Sequence, residues 1–151
     1  MPEPKLSRTH RHLPHWEMTG STYFITFRLK TGELSIAERK VVFEHILDGR
    51  DPFYSLYALV VMPDHVHVLV KPNDQIRLSR MMQGMKGVTA RKINRSRGSN
   101  GPIWLGESYD RIIRDEADAI EKQNYIVQNP VRAQIVERWQ YYPFVYRWEL
   151  W

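Results

Sequence analysis

The chain has 151 residues, 42% hydrophobic and 26% charged, with no cysteine and a formal net charge of +5. That suits one folded soluble domain, and it excludes disulfide frameworks, thiolate metal sites and cysteine nucleophiles. No apolar run approaches the roughly 20 residues of a membrane span, and the N-terminus lacks an apolar signal segment, so the expectation is a basic cytoplasmic protein with no membrane partner.

In chain order, residues 1–15 read as a flexible basic arm. Tyr23 to Arg28 is rich in aromatic and β-branched residues and predicts a strand. Ser35 with Glu38 three positions on forms a capping box, opening a helix to about Asp48 that carries Ile36, Val42, Phe43, Ile46 and Leu47. Ser55 to Met62 is almost wholly apolar, as a strand buried on both faces would be. The Pro63-Asp64 turn then leads into His65 to Val70, so the two runs predict a hairpin.

From Leu78 to about Ser96, apolar residues at Leu78, Met81, Met82, Met85, Val88 and Ile93 have helical spacing, with cations on the other faces. Ser96 to Gly101 is a loop. Ile103-Trp104 and Tyr109 to Ile113 are short extended pieces. Asp115 is placed to cap a helix that runs through Tyr125 to Val127 or Gln128, where Pro130 is expected to stop it. Val131 to Val136 adds one short turn, and the segment from Trp139 onward is an aromatic tail. This order predicts an α+β fold: a ferredoxin-like antiparallel sheet with helices packed on one face, in a single domain over residues 1–151.

Charge is unevenly spread. Between Lys71 and Gly101 lie eight cations and one acid, which makes that segment +7 and the remainder slightly acidic. Clustered cations attract polyanions through counterion release, and nucleic acid is the commonest such partner. A solvated helix face would look the same, so charge alone decides nothing.

Side chains alternate along a strand, which puts His65 and His67 on one face and Val66, Val68 and Val70 on the other. A lone pair of this kind is often only two half-exposed rings. Here the flanking strands are so apolar that two polar rings on one face need a reason. Two imidazoles without a thiolate or carboxylate cage suit an ion whose shell is completed by oxygen, Mg²⁺ or Mn²⁺, with Zn²⁺ also open.

Tyr125 falls on the polar side of its helix, with Asp118, Glu121, Lys122 and Asn129, away from Ala119, Ile120, Ile126 and Val127. A tyrosine there is commonly half-buried packing. The functional reading is a nucleophile on phosphorus, which needs a polarised phosphate because a phenol of pKa about 10 is roughly 0.1% ionised at neutral pH. Asn129 can offer an amide oxygen to the same ion, with Gln128 as the alternative.

At these residues the sequence resembles the single-tyrosine HUH transposases, and within them the REP-associated tyrosine transposases of bacteria. The resemblance is carried by Leu13-Pro14-His15-Trp16, Tyr23 to Leu29, Ala58 to His67, Lys86-Gly87, Arg91 to Asn94, Ile103-Trp104, Tyr109-Asp110 and Tyr125 to Ala133. It implies a ferredoxin-like catalytic domain in which His65, His67 and Asn129 bind a divalent metal and Tyr125 attacks. The implied substrate is single-stranded DNA folded as an imperfect hairpin, the implied intermediate a 5′-phosphotyrosyl ester with a free 3′-OH. The implied state is a monomer, with a dimer possible, acting on chromosomal (nucleoid) DNA. Arg8, Arg11, Arg80, Lys86, Arg91, Lys92, Arg95, Arg97 and Arg132 are the expected DNA-binding cations, and Trp104, Tyr109 and Trp148 the candidates to stack on unpaired bases. The sequence departs from the family at Gln134, where Gly is usual, and in the last residues. Two other classes stay open: a hairpin-binding protein without catalysis, and a metal-dependent nuclease in which water attacks.

Overall fold

The computed structural model describes residues 20–149. Five strands form one antiparallel sheet: β1 (Tyr23–Arg28), β2 (Tyr54–Val61), β3 (His65–Pro72), β4 (Tyr109–Ile112) and β5 (Val145–Arg147), in the order β4-β1-β3-β2-β5. The first four strands have the ferredoxin-like order. The β2–β3 hairpin turns at Pro63-Asp64 as expected, with Met62 N–H bonded to the His65 carbonyl.

The first helix, α1 (Ile36–Asp48), starts where the capping box places it: Ser35 Oγ accepts from Glu38 N–H, and the Glu38 carboxylate accepts from Ser35 N–H. Val42 and Ile46 are its buried residues, while Ile36 faces solvent. The expected helix from Leu78 is not one regular rod. It runs as α2 (Leu78–Met82), a wide π-helical turn over Gln83–Gly87, and α3 (Val88–Arg97), closed by Gly98 in the left-handed region at φ 67°. The buried residues Met81, Met85, Thr89 and Ile93 recur every four positions. In a regular α-helix such a stripe drifts about 40° per step. The wider turn takes up that drift and keeps the stripe on the core.

Cross-strand register tells which side chains share a face. Thr26 lies opposite His67, Ile25 opposite Val68 and Phe27 opposite Val66. Ile25, Phe27, Val66 and Val68 therefore point away from the histidines and are fully buried. The α2–α3 unit lies over this face, where the Lys86 ammonium sits 6.0 Å from the Phe27 ring centroid. It is joined to α1 by the Glu38–Arg97 ion pair at 2.7 Å. These helices form the expected layer. The structure adds a helix on the opposite face, α4 (Glu116–Val127), whose Tyr125 ring meets Phe24 and His67. Covering both faces explains why β2 and β3 are apolar almost throughout.

The Asp115 cap is present, its side chain accepting from Asp118 N–H at 2.9 Å. The helix ends at Val127 with Gln128 as its cap, where Pro130 led one to expect the stop. The chain then resumes at once as α5 (Asn129–Arg132), with Pro130 tolerated in its first turn, in place of the expected turn over 131–136. The aromatic segment packs on the sheet: β5 pairs with β2, Tyr142 donates to the Val61 carbonyl at 2.5 Å, and Tyr142 and Phe144 are buried. Among the described residues no helix is long and apolar enough to cross a membrane.

Candidate active site

The histidines sit at the start of β3, on the face that α4 covers. Their ring centroids are 4.8 Å apart, which confirms the shared face. His67 is almost fully buried, its Nδ1 2.7 Å from Thr26 Oγ1 and its ring stacked 5.5 Å from Phe24. Burial above all, then the charges of His65, Arg28 and Arg132, push its pKa down to about 3, so the ring is neutral at physiological pH. A neutral imidazole retains the lone pair that a metal needs.

His65 is held differently. Its Nδ1 lies 2.7 Å from the Asp64 carboxylate. With Nδ1–H donated there, Nε2 carries a lone pair, and it faces Asn129 Oδ1 across 3.2 Å. A proton or a cation can join these two atoms. That placement of donors, with the neutral ring of His67 beside it, fits a divalent ion. Among the described residues no three His, Cys, Asp or Glu side chains gather into a ready-made cage. The set is thus sparse and suits an ion completed by substrate oxygens.

Tyr125 comes from α4, and two buried polar residues set that helix on the sheet. Asp118, 3% exposed, accepts from Arg111 at 2.7 Å and from Arg114 N–H at 2.9 Å, which ties the first turns to β4. Burial alone would raise its pKa, but the Arg111 and Arg114 bonds hold it below the usual carboxylate range. Gln123 donates to the carbonyls of Tyr57 and Trp148, fastening the middle of the helix to β2 and to the segment after β5. Two residues on, the Tyr125 ring meets His67 at 5.5 Å and Phe24 at 5.9 Å, centroid to centroid. Residues about sixty positions apart in sequence thus meet within one chain.

A family model described as "Transposase IS200 like" matches residues 37–129, the stretch that carries these four side chains. The chain belongs to the IS200-like transposase family. A protein of Haemophilus influenzae whose name assigns it to the REP-associated tyrosine transposases is 26% identical over 106 residues; the match spans 62% of this chain and 60% of the relative. A solved REP-associated tyrosine transposase, bound to a REP hairpin, superposes with a TM-score of 0.69 at 23% identity, over 85% of this chain and 77% of that one. It shows that this member of the IS200-like transposase family shares the fold.

The expected DNA-binding cations fall into separate groups. Arg80, Arg91, Lys92 and Arg95 lie on the exposed faces of α2 and α3. Lys86 donates to the carbonyls of Leu105 and Gly106 and to Ser108 Oγ, so its ammonium is engaged in holding the 102–108 loop. Arg97 forms a two-point contact with Glu38. Arg132 is turned onto Tyr125. Arg8 and Arg11, with the whole basic arm, lie outside the described residues.

Of the three aromatics, Trp104 is buried against Phe27 and donates to Thr89 Oγ1, and Trp148 packs edge-on to Tyr57. Only Tyr109 stands in the open, 56% exposed. Sequence reasoning missed Thr26, Asp64 and Phe24 as neighbours of the site. Asp64 was legible as a carboxylate adjoining a histidine. Thr26 and Phe24 became visible only through strand register.

Proposed function

We propose that this chain cuts and rejoins single-stranded DNA through Tyr125, on hairpin substrates of the REP type. One observation carries the reading: the paired imidazoles on β3, the Asn129 amide and the Tyr125 ring converge from different elements of one chain. A divalent ion, Mg²⁺ or Mn²⁺, held by His65, His67 and Asn129, would polarise the phosphate and orient the scissile bond.

The protein's own side chains do the rest. Asp64 and Thr26 hold the two rings by their Nδ1 atoms. Phe24 and His67 form the seat of the phenol. The Tyr125 oxygen attacks phosphorus and loses its proton; the bond from phosphorus to the 3′-oxygen breaks, and that oxygen leaves as a 3′-OH. The product is a 5′-phosphotyrosyl ester, and its fairly good leaving group lets a second 3′-OH reverse the step without ATP. Because nucleophile and imidazoles come from the same chain, a monomer is sufficient.

The test is incubation of the full chain with single-stranded hairpins drawn from intergenic repeats of its own genome, with Mg²⁺ or Mn²⁺. A protein–DNA adduct that survives denaturant is expected, and none with Tyr125→Phe. Adduct persisting in that variant removes Tyr125 from its role. Cleavage without adduct identifies a water-using nuclease, and chelator-insensitive binding without cleavage identifies a binding protein.

A further inference from the structure

Strand register puts a further side chain beside the paired rings. Arg28, the last residue of β1, lies opposite His65 on β3, as Thr26 lies opposite His67. Facing residues of an antiparallel pair share a face, with Cβ atoms about 4.5–5.5 Å apart. Arg28 is thus carried on the histidine face, at the end of the sheet where Tyr125 stands. Its side chain lines the same opening as His67 and Tyr125. Its charge reaches His67 and helps to keep that ring neutral.

What sets Arg28 apart is its lack of a partner. The cations around it are committed: Arg111 to the Asp118 carboxylate at 2.7 Å, Lys122 to the same carboxylate at 3.4 Å, and Arg132 to the ring and carbonyl of Tyr125. The Asp64 carboxylate is taken by His65. Among the described residues the Arg28 side chain has no carboxylate and no hydrogen-bond partner, and it is exposed. A guanidinium left open on the face of a proposed metal site is placed for an anion, and its planar fork matches the oxygens of a phosphate.

We infer that Arg28 is a catalytic residue that grips a non-bridging oxygen of the scissile phosphate and neutralises the charge gathered there as Tyr125 attacks. The inference rests on the proposed reading of Tyr125 and adds a second source of positive charge to the reaction. As the bond from the phenolic oxygen to phosphorus forms and the bond to the 3′-oxygen breaks, negative charge spreads over the non-bridging oxygens. Arg28 donates N–H bonds to that charge and transfers no proton, so the balance of the step is unchanged. Donors aimed at developing charge lower the barrier more than they tighten binding.

The test is single-turnover adduct formation by the full chain on a single-stranded hairpin with Mn²⁺, with hairpin affinity measured separately in EDTA. Arg28 is exposed at a strand end and has no partner to lose, so Arg28→Ala keeps the fold. That variant is expected to form adduct about 100-fold more slowly. Its affinity for the hairpin should change only a few-fold. Guanidinium ion, added below denaturing concentration, should restore part of the lost rate in Arg28→Ala and none in the wild-type chain. The inference is overturned if Arg28→Ala forms adduct at the wild-type rate, if affinity falls as far as the rate, or if guanidinium restores nothing. Absence of adduct in the wild-type chain overturns the readings of Tyr125 and Arg28 together. Adduct in the wild-type chain with an unimpaired Arg28→Ala overturns that of Arg28 alone.

Discussion

The Arg132 guanidinium lies over the Tyr125 ring, its central carbon 3.9 Å from the ring centroid, and its Nη2 donates to the Tyr125 carbonyl at 2.9 Å. The same side chain grips the backbone and the ring of Tyr125. A cation held over an aromatic face is worth about 0.5–2 kcal/mol. The sheet-side contacts of Tyr125 are all aromatic edges, so Arg132 closes the phenol's seat from the other side.

Arg132→Ala should therefore slow adduct formation roughly 3- to 30-fold while changing hairpin affinity much less. Lys at this position lacks the planar fork and should not restore the rate. Single-turnover adduct assays beside equilibrium binding make the distinction. An equal loss in both would return Arg132 to simple backbone binding.

Asp64 should matter through His65. Partners that orient a metal-binding imidazole typically contribute 10- to 100-fold in metal affinity. The Asp64 side chain is 57% exposed, which favours the lower end. Asp64→Ala is expected to weaken Mn²⁺ binding about tenfold, measured by electron paramagnetic resonance titration, and Asp64→Asn, which can still accept from Nδ1–H, should lose less.

His67 makes stability depend on pH. Its native pKa is far below the ordinary histidine value of 6.5, so on acidification the unfolded chain takes up a proton that the folded one refuses. The contribution is complete above about pH 6.5 and is lost progressively as pH falls toward about 3. Asp118 acts in the same direction, but only below the usual carboxylate range. His45 is also lowered, chiefly by burial, and shares the upper window. Urea unfolding in EDTA between pH 7.5 and 4.5 should show a slope that His67→Gln flattens and His45→Gln flattens less. An unchanged slope in His67→Gln would contradict the buried neutral ring.

Gln134 occupies the left-handed region at φ 61°, where the family resemblance leads one to expect Gly. The turn is thus kept and the strain accepted, since a Cβ there costs about 1–2 kcal/mol. Gln134→Gly gives part of that back to the unfolded chain's entropy. Net stabilisation of roughly 0.5–1 kcal/mol is expected, about 1–4 °C in Tm by calorimetry.

What the sequence determined by itself is what depends on near neighbours. The Ser35–Glu38 capping box, the Asp115 cap, the Pro63-Asp64 turn and the shared face of His65 and His67 all stand in the structure, because caps, tight turns and strand alternation are set by residues within a few positions of each other. The resemblance supplied the longer connection, from the histidines to Tyr125 and Asn129.

Only the tertiary structure decided what depends on register and on which face a helix covers. It sets Thr26 across from His67, brings α4 down on the histidine face, and turns Arg132 onto Tyr125. It also engages Lys86 and Arg97 with protein partners and leaves Tyr109 more than half exposed. A cation reads the same in sequence whether it faces solvent, a carboxylate or a ring. Its role is chosen by partners dozens of residues away, which strand order and helix placement bring within reach.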